Sequence, residues 1–413
     1  MFRIVVFAAM VFIAAFPPVM AQEAGVIASM DEMRFAPPKE KGSASLVDGR
    51  VGKAVRFEAD APSTFFTSDI HGKPEWDRAQ GFSFWVRGNG SDGFGGLEFI
   101  YDDDYAVRYD VCFPVKNGEW RKISVAWQDL VPVLPGPAAK PLGTSRGNAA
   151  SKLSAVFVGK WWYWALYPAL CFDIDEIRLE PTIERDANDY LPDGPPLGRV
   201  LAKLKAGKPI TIVTMGDSLT DKRHWANREV CWVDLLRQGL KDAYRSDVTI
   251  VNPAIGGTQL RQNVILIPRW LATVPEPDLV TFFFGGNDWD SGMRGAEFRR
   301  TCTDAVNRVR RATRGKADVL LITTNPSAAR WGAIEELAEA CRDAAKDRRA
   351  GLADTDRAFV AAGRDNPNPL FVHNRVHLSK AGHAIVAETV IKAIEQEQNP
   401  KEKATVTKRS AAP

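Results

Sequence analysis

Between Lys208 and Gln396 two periodicities take turns, and this alternation restricts the fold more than anything else in the 413 residues. Short apolar, β-branched runs at Ile210 to Met215, Val248 to Asn252, Leu279 to Phe284, Val319 to Thr323 and Gly351 to Asp354 read as strands. Helical spacing fills the gaps at Arg228 to Tyr244, Ala296 to Ala312, Ala333 to Asp347 and Lys380 to Glu395. Strands separated by helices with short connections pair in parallel, and helices cover both faces of the sheet. The unbroken run Val280-Thr281-Phe282-Phe283-Phe284 suits a strand buried on both sides.

The first half has strand runs without helical ones. Examples are Phe82 to Val86, Leu97 to Ile100, Ala106 to Val111, Arg121 to Ala126, Ala155 to Val158 and Cys171 to Leu179, separated by Gly, Asp and Pro. This pattern predicts an antiparallel β-sandwich. The order of Phe84-Trp85-Val86, Trp120-Arg121-Lys122-Ile123 and Phe172 to Leu179 resembles jelly-roll modules related to carbohydrate-binding domains. Lys160-Trp161-Trp162-Tyr163-Trp164 concentrates aromatic rings, either as a platform for sugar rings or as core filling, and core filling is the reading favoured. Gly88-Asn89-Gly90-Ser91-Asp92-Gly93 spells a dinucleotide fingerprint, but a strand and not a helix follows, so a hairpin loop is expected. Asp102-Asp103-Asp104 lacks calcium-ligand spacing and reads as a solvated turn.

Met1 to Ala21 carries Arg3, an apolar run from Ile4 to Phe16 and a small-residue close at Val19-Met20-Ala21, the pattern of a secretory signal peptide. The expected organisation is signal 1–21, sandwich 22–180, a Pro- and charge-rich linker 181–207 with a short helix from Arg199 to Lys205, the alternating domain 208–396, and a disordered tail 397–413. The product should be secreted or periplasmic, with no membrane span. The net charge of +3 comes mostly from the two ends, so the body offers no electrostatic footprint for nucleic acid. Of the five cysteines, Cys302 and Cys341 lie on apolar helical stripes, and Cys112 and Cys171 are the better pair for a bridge. No Cys-x-x-Cys or His-Glu-x-x-His is present, and no metal or cofactor is expected.

Four segments fall beyond strand ends or before the last helix: Gly216-Asp217-Ser218-Leu219, Asn252 to Thr258, Gly285-Gly286-Asn287-Asp288 and Val376-His377-Leu378. Their order and spacing resemble the SGNH (or GDSL) hydrolase family across the whole alternating domain. The resemblance implies a flavodoxin-like three-layer α/β/α fold and serine ester hydrolysis. It implies Ser218 as nucleophile, His377 as base, and an oxyanion hole from the Ser218 N–H, the Gly257 N–H and the Asn287 side chain. Each residue type suits its place. A serine hydroxyl needs a base, a backbone donor approaches closest without a side chain, and asparagine donates without charge. Ser379 is a natural N-cap for the last helix, and a helix N-terminus helps keep His377 neutral. Surface or packing roles suffice for His71, His224, His373 and His383.

One position departs from the family, which carries aspartate three residues before its histidine. Asn374 stands there. Three roles fit it. Its carbonyl could accept the Nδ1 proton, as in Cys-His-Asn proteases; a Ser-His pair could use another acceptor; or catalysis is impaired. The expected function is an esterase removing O-acetyl groups from an acylated small molecule or polysaccharide. The rivals are a lipase- or thioesterase-like enzyme for longer acyl chains, and a glycan-binding protein with a weakened hydrolase site.

Overall fold

The structure, a computed structural model, describes residues 25–36, 42–134, 149–161, 163 and 169–396. The expected signal segment, the C-terminal tail, and Trp162 and Trp164 lie outside these residues. Two antiparallel sheets make up the first part. One runs in the order Gly42–Asp48, Lys53–Ala59, Leu170–Glu180, Gly81–Gly88, Arg121–Ala126, with Val26–Ala28 also paired to Leu170–Glu180. The other runs Ser63–Thr67, Leu153–Lys160, Phe94–Tyr101, Asp104–Pro114, Val131–Pro132.

Alternate residues of each sheet meet in a shared core. Phe57, Phe82, Phe84 and Ile174 come from one sheet, and Leu97, Phe99, Phe113 and Val156 from the other. Phe82 meets Phe99 edge-on with centroids 4.6 Å apart, and Phe84 meets Phe113 at 5.1 Å. Such edge-to-face pairs are a favoured aromatic geometry and lock the two sheets in register.

Four sequence readings meet the structure here. The Gly88–Gly93 loop does lead into a strand, yet the strands it joins belong to different sheets, so it is a corner of the sandwich and not a hairpin. Asp102 and Asp103 have φ of 55° and 54°, making the acidic triplet the turn between two paired strands. All five thiols are free. Cys112 and Cys171 sit on opposite sheets, and the Cys112 thiol donates to the Ile265 carbonyl at 2.9 Å instead of reaching Cys171. In the aromatic run, Trp161 and Tyr163 are buried, with Tyr163 donating to Asp110 at 2.9 Å, as core filling requires.

The second part is a five-stranded, fully parallel sheet in the order Val248–Val251, Ile210–Gly216, Leu279–Phe283, Asp318–Ile322, Gly351–Ala353. In chain order this is 2-1-3-4-5, the flavodoxin-like arrangement. Side chains on one face (Ile212, Leu279, Phe283, Leu320) join Gly198–Lys205, Trp232–Tyr244 and Lys380–Glu395 in one apolar layer. Those on the other (Val213, Val280, Phe282, Leu321) join Leu260–Ile265, Ile267–Thr273, Gly295–Ala312 and Glu335–Asp347. The strand period of two thus divides each strand between two helical layers. Among the described residues no helix is long and apolar enough to cross a membrane.

The two parts share one apolar cluster. Phe94, Cys112, Val131 and Trp161 of the first pack with Ile265, Trp270 and neighbours of the second. Buried Arg261 pairs with Glu297 of its own part at 2.8 Å and reaches across the seam to the Pro132 carbonyl at 3.5 Å, and Arg308 donates to the Asp129 carbonyl at 2.9 Å. The connecting segment is also docked, with Arg185 on Asp129 at 2.8 Å and Arg348 on Asp189 at 2.6 Å.

Candidate active site

After the first strand the chain steps outward to Val248–Val251, then back across to Leu279–Phe283 on the other side. Open parallel sheets bind ligands at the carboxyl edge where strand order reverses in this way. Ser218 follows the first of the two strands flanking the reversal and Asn287 follows the second.

Four turns at this edge bend by the same device. Asp217 accepts from the Leu219 N–H at 2.9 Å, Asp221 from Arg223 at 2.9 Å, Asn252 from Ala254 at 3.1 Å and Asn374 from Val376 at 3.1 Å. A short polar side chain bonded two residues ahead makes a tight turn without help from a sheet. Cross-bonds then tie the loops together. Asn227 Nδ2 donates to the Ser218 and Asp221 carbonyls at 2.7 and 2.8 Å, and Asn252 Nδ2 to that of Thr220 at 2.8 Å. Asp221 Oδ2 accepts from the Gly256 N–H at 3.1 Å. Burial works against the Asp221 charge, but Arg223 and these N–H groups outweigh it and hold its pKa below the usual range.

His377 reaches Ser218 from the opposite side. Its loop is pinned where Val372 N–H meets the His377 carbonyl at 2.8 Å and Arg375 donates to the Ala328 carbonyl at 2.8 Å. Ser379 caps the final helix, accepting from Gly382 N–H at 3.3 Å. The imidazole Nε2 lies 3.0 Å from Ser218 Oγ, within hydrogen-bond range. Behind the ring, Asn374 Nδ2 is 2.6 Å from Nδ1, while Asn374 Oδ1 accepts from the N–H groups of Val376 and His377. Burial, and then the nearby His224, push the His377 pKa down to about 4. The ring is therefore neutral at ordinary pH.

The three donors implied for an oxyanion lie close by. Gly257 has φ of 79°, with open space where a Cβ would stand, so its backbone turns at no side-chain cost. Its neighbour Gly256 comes so near that a Cβ there would lie 3.6 Å from that of Ser218. Asn287 is set by Gly285, whose φ of 140° and contact with Thr324 exclude any side chain. The Asn287 amide donates to the Thr258 carbonyl at 3.0 Å and to Asp217 Oδ2 at 3.3 Å. Burial raises both Asp217 and Asp288 to about 7. Asp288 also accepts from the Leu260 N–H at 2.9 Å, tying the third segment to the helix after the second.

Ser218 and Asn287 open onto a cavity of about 180 Å³ lined by Phe283, Phe284, Trp289 and Ile334, with Arg330 and Asp290 paired at its edge. The structure thus brings Ser218, His377, Asn374, Asn287 and the Gly256–Gly257 turn together. It also adds groups that the sequence reading gave no role. His224 stacks on His377 with centroids 4.2 Å apart and planes 23° from parallel. Trp225 flanks both rings. His383 is a packing residue, buried and accepting from the Trp232 N–H at 3.3 Å. The signals available for Asp221 and Asn227 were only local: a polar residue three places after the serine, and an asparagine before a helix.

Residues 214–385 match the family described as GDSL-like Lipase/Acylhydrolase. No curated protein matches the chain in sequence. Among solved structures, an acetyl xylan esterase from Geobacillus stearothermophilus is 21% identical, covering 46% of this chain and 95% of its own, with a TM-score of 0.39. A lipase/acylhydrolase from Enterococcus faecalis is 20% identical, with coverages of 46% and 98% and a TM-score of 0.40. A two-domain esterase active on acetylated mannans, co-crystallised with mannopentaose, is 25% identical, with coverages of 49% and 53% and a TM-score of 0.41.

Proposed function

We propose, from the premise that residues 214–385 form a serine ester hydrolase of the GDSL-like lipase/acylhydrolase family, that this chain is an exported esterase removing short acyl groups, acetyl above all, from a carbohydrate. The observation that carries the reading is the 3.0 Å approach of Ser218 Oγ to His377 Nε2 at the mouth of the cavity. In this reading Ser218 Oγ bonds to the acyl carbon as its proton passes to His377 Nε2, which must be unprotonated to receive it. The carbonyl electron pair moves to oxygen, met by the N–H groups of Ser218 and Gly257 and by Asn287 Nδ2. Collapse expels the alcohol, which takes the proton from His377, and water repeats the sequence on the acyl-enzyme.

Cavity size favours a short acyl group. Pockets for drug-sized ligands run to about 300–1,000 Å³, and 180 Å³ between Phe283, Phe284, Trp289 and Ile334 is smaller. A long-chain lipase or thioesterase would need more room. The carbohydrate assignment rests on the pattern of the first part, and export rests on the Met1 to Ala21 segment. The test compares acetylated and butyrylated oligosaccharides with wild type and Ser218→Ala. Acetyl esters should be hydrolysed at least tenfold faster than butyryl esters, and Ser218→Ala should lower kcat by about 10³-fold or more. Equal rates on both chain lengths would defeat the short-acyl reading. Undiminished hydrolysis by Ser218→Ala would defeat the serine mechanism and leave the glycan-binding alternative.

A further inference from the structure

An amide nitrogen can donate a hydrogen bond but cannot accept one. Asn374 presents its nitrogen to His377 Nδ1 at 2.6 Å, so Nδ1 must be the lone-pair side of the neutral ring. The amide cannot turn over freely, because its oxygen holds the Val376 and His377 N–H groups at 3.1 and 3.0 Å. Reversing it would set amide hydrogens against both. The one ring proton must then sit on Nε2, where it donates to Ser218 Oγ at 3.0 Å. A ring in that form has no lone pair for the serine proton, so the transfer described above has to pass through the less favoured Nδ1–H tautomer.

We propose that Asn374 is a positioning residue that parks His377 in the Nε2–H tautomer, holding the serine in a resting form that a carboxylate at the same place would release. This deepens the esterase reading and rests on it. An aspartate would keep the two backbone bonds with one oxygen and take the Nδ1 proton with the other, leaving Nε2 bare. Among the described residues no acid bonds to the ring in its place. Among the described residues the ionisable groups that couple electrostatically to His377 are His224, from the turn after the first strand of the parallel sheet, and His383, from the final helix, and both are imidazoles.

The test uses the full chain, with p-nitrophenyl acetate as substrate and ¹⁵N-labelled protein for the tautomer. In wild type the long-range ¹H–¹⁵N pattern of His377 should show the proton on Nε2. N374D should raise kcat by about 10²- to 10⁴-fold, the reverse of the loss seen when a serine-protease aspartate becomes asparagine, with KM changed less than threefold. Its acid limb should also move upward from about pH 4, since a carboxylate favours the imidazolium. A purely structural role would leave that limb in place. A folded N374D with unchanged or lower kcat, or a wild-type ring protonated on Nδ1, overturns the proposal. Should neither chain hydrolyse any ester, the esterase reading falls, and the NMR still decides the tautomer.

Discussion

At the scale of single residues, the site depends on donors being in place before charge develops. Asn287 is held by Thr258 and Asp217, so an oxyanion meets an amide already aimed and has only to displace the longer contact. Asn287→Ala should lower kcat by about 10²- to 10³-fold with little change in KM, measured on an acetyl ester; a KM effect alone would make Asn287 a binding group. The hydroxyl, the imidazole and this amide were singled out because four segments in order resemble a hydrolase family; alone, each residue reads as a turn or cap. The His224 stack was not legible. A histidine in a polar loop has many uses, and only folding sets it flat on His377. The orientation of Asn374 was also beyond the sequence, since its two ends differ by one atom and only the surrounding N–H groups fix which end faces the ring.

At the scale of elements, the four asparagine and aspartate turns at the sheet edge follow from local chemistry, and their residues stand in plain view in the sequence. The elements missed there were short. Leu260–Ile265 and Ile267–Thr273 have six and seven residues, and every residue of the first is buried, so no polar stripe reveals a helical period. Long helices with one wet face, such as Gly295–Ala312 and Lys380–Glu395, were placed to within a residue. Asp288 joins two of these elements through Leu260, and its acid sits in a dry place. Burial raises its folded pKa to about 7, against an ordinary value of about 3.9 when unfolded. Between those values the folded chain binds the extra proton, so this group's contribution to stability is present in acid and is lost as pH rises through 7. Asp288→Asn keeps an acceptor for Leu260 and removes the ionisation. Its Tm relative to wild type should therefore improve from pH 5 to pH 8; a constant difference in thermal melts would refute the account.

At the scale of the whole molecule, the pattern of strand and helix runs separated the chain into an antiparallel and an alternating half, and the structure has both. What periodicity could not convey is that they share a core. A strand pattern says which side chains point inward but not that Cys112, Val131 and Trp161 point into the neighbour's helices. Separating residues 182–396 would uncover Ile265 and Trp270 and leave Arg261 beside water, so that fragment should melt lower than the full chain and self-associate on size exclusion. A monomeric fragment with unchanged Tm would show the seam to be incidental. The full chain should melt in one transition. Arg261, paired with Glu297 of its own half, and Arg308 both reach across that seam to carbonyls of the first half, at Pro132 and Asp129, and this gives the joint a further property. Hydrophobic faces will accept many partners, but guanidinium groups kept from solvent need acceptors at set points on the neighbour. The first half is thus not a cassette that could be exchanged for another sandwich by splicing at the connecting segment. A graft would have to bring its own contour for this buried joint, and the two halves are expected to have changed together over evolutionary time.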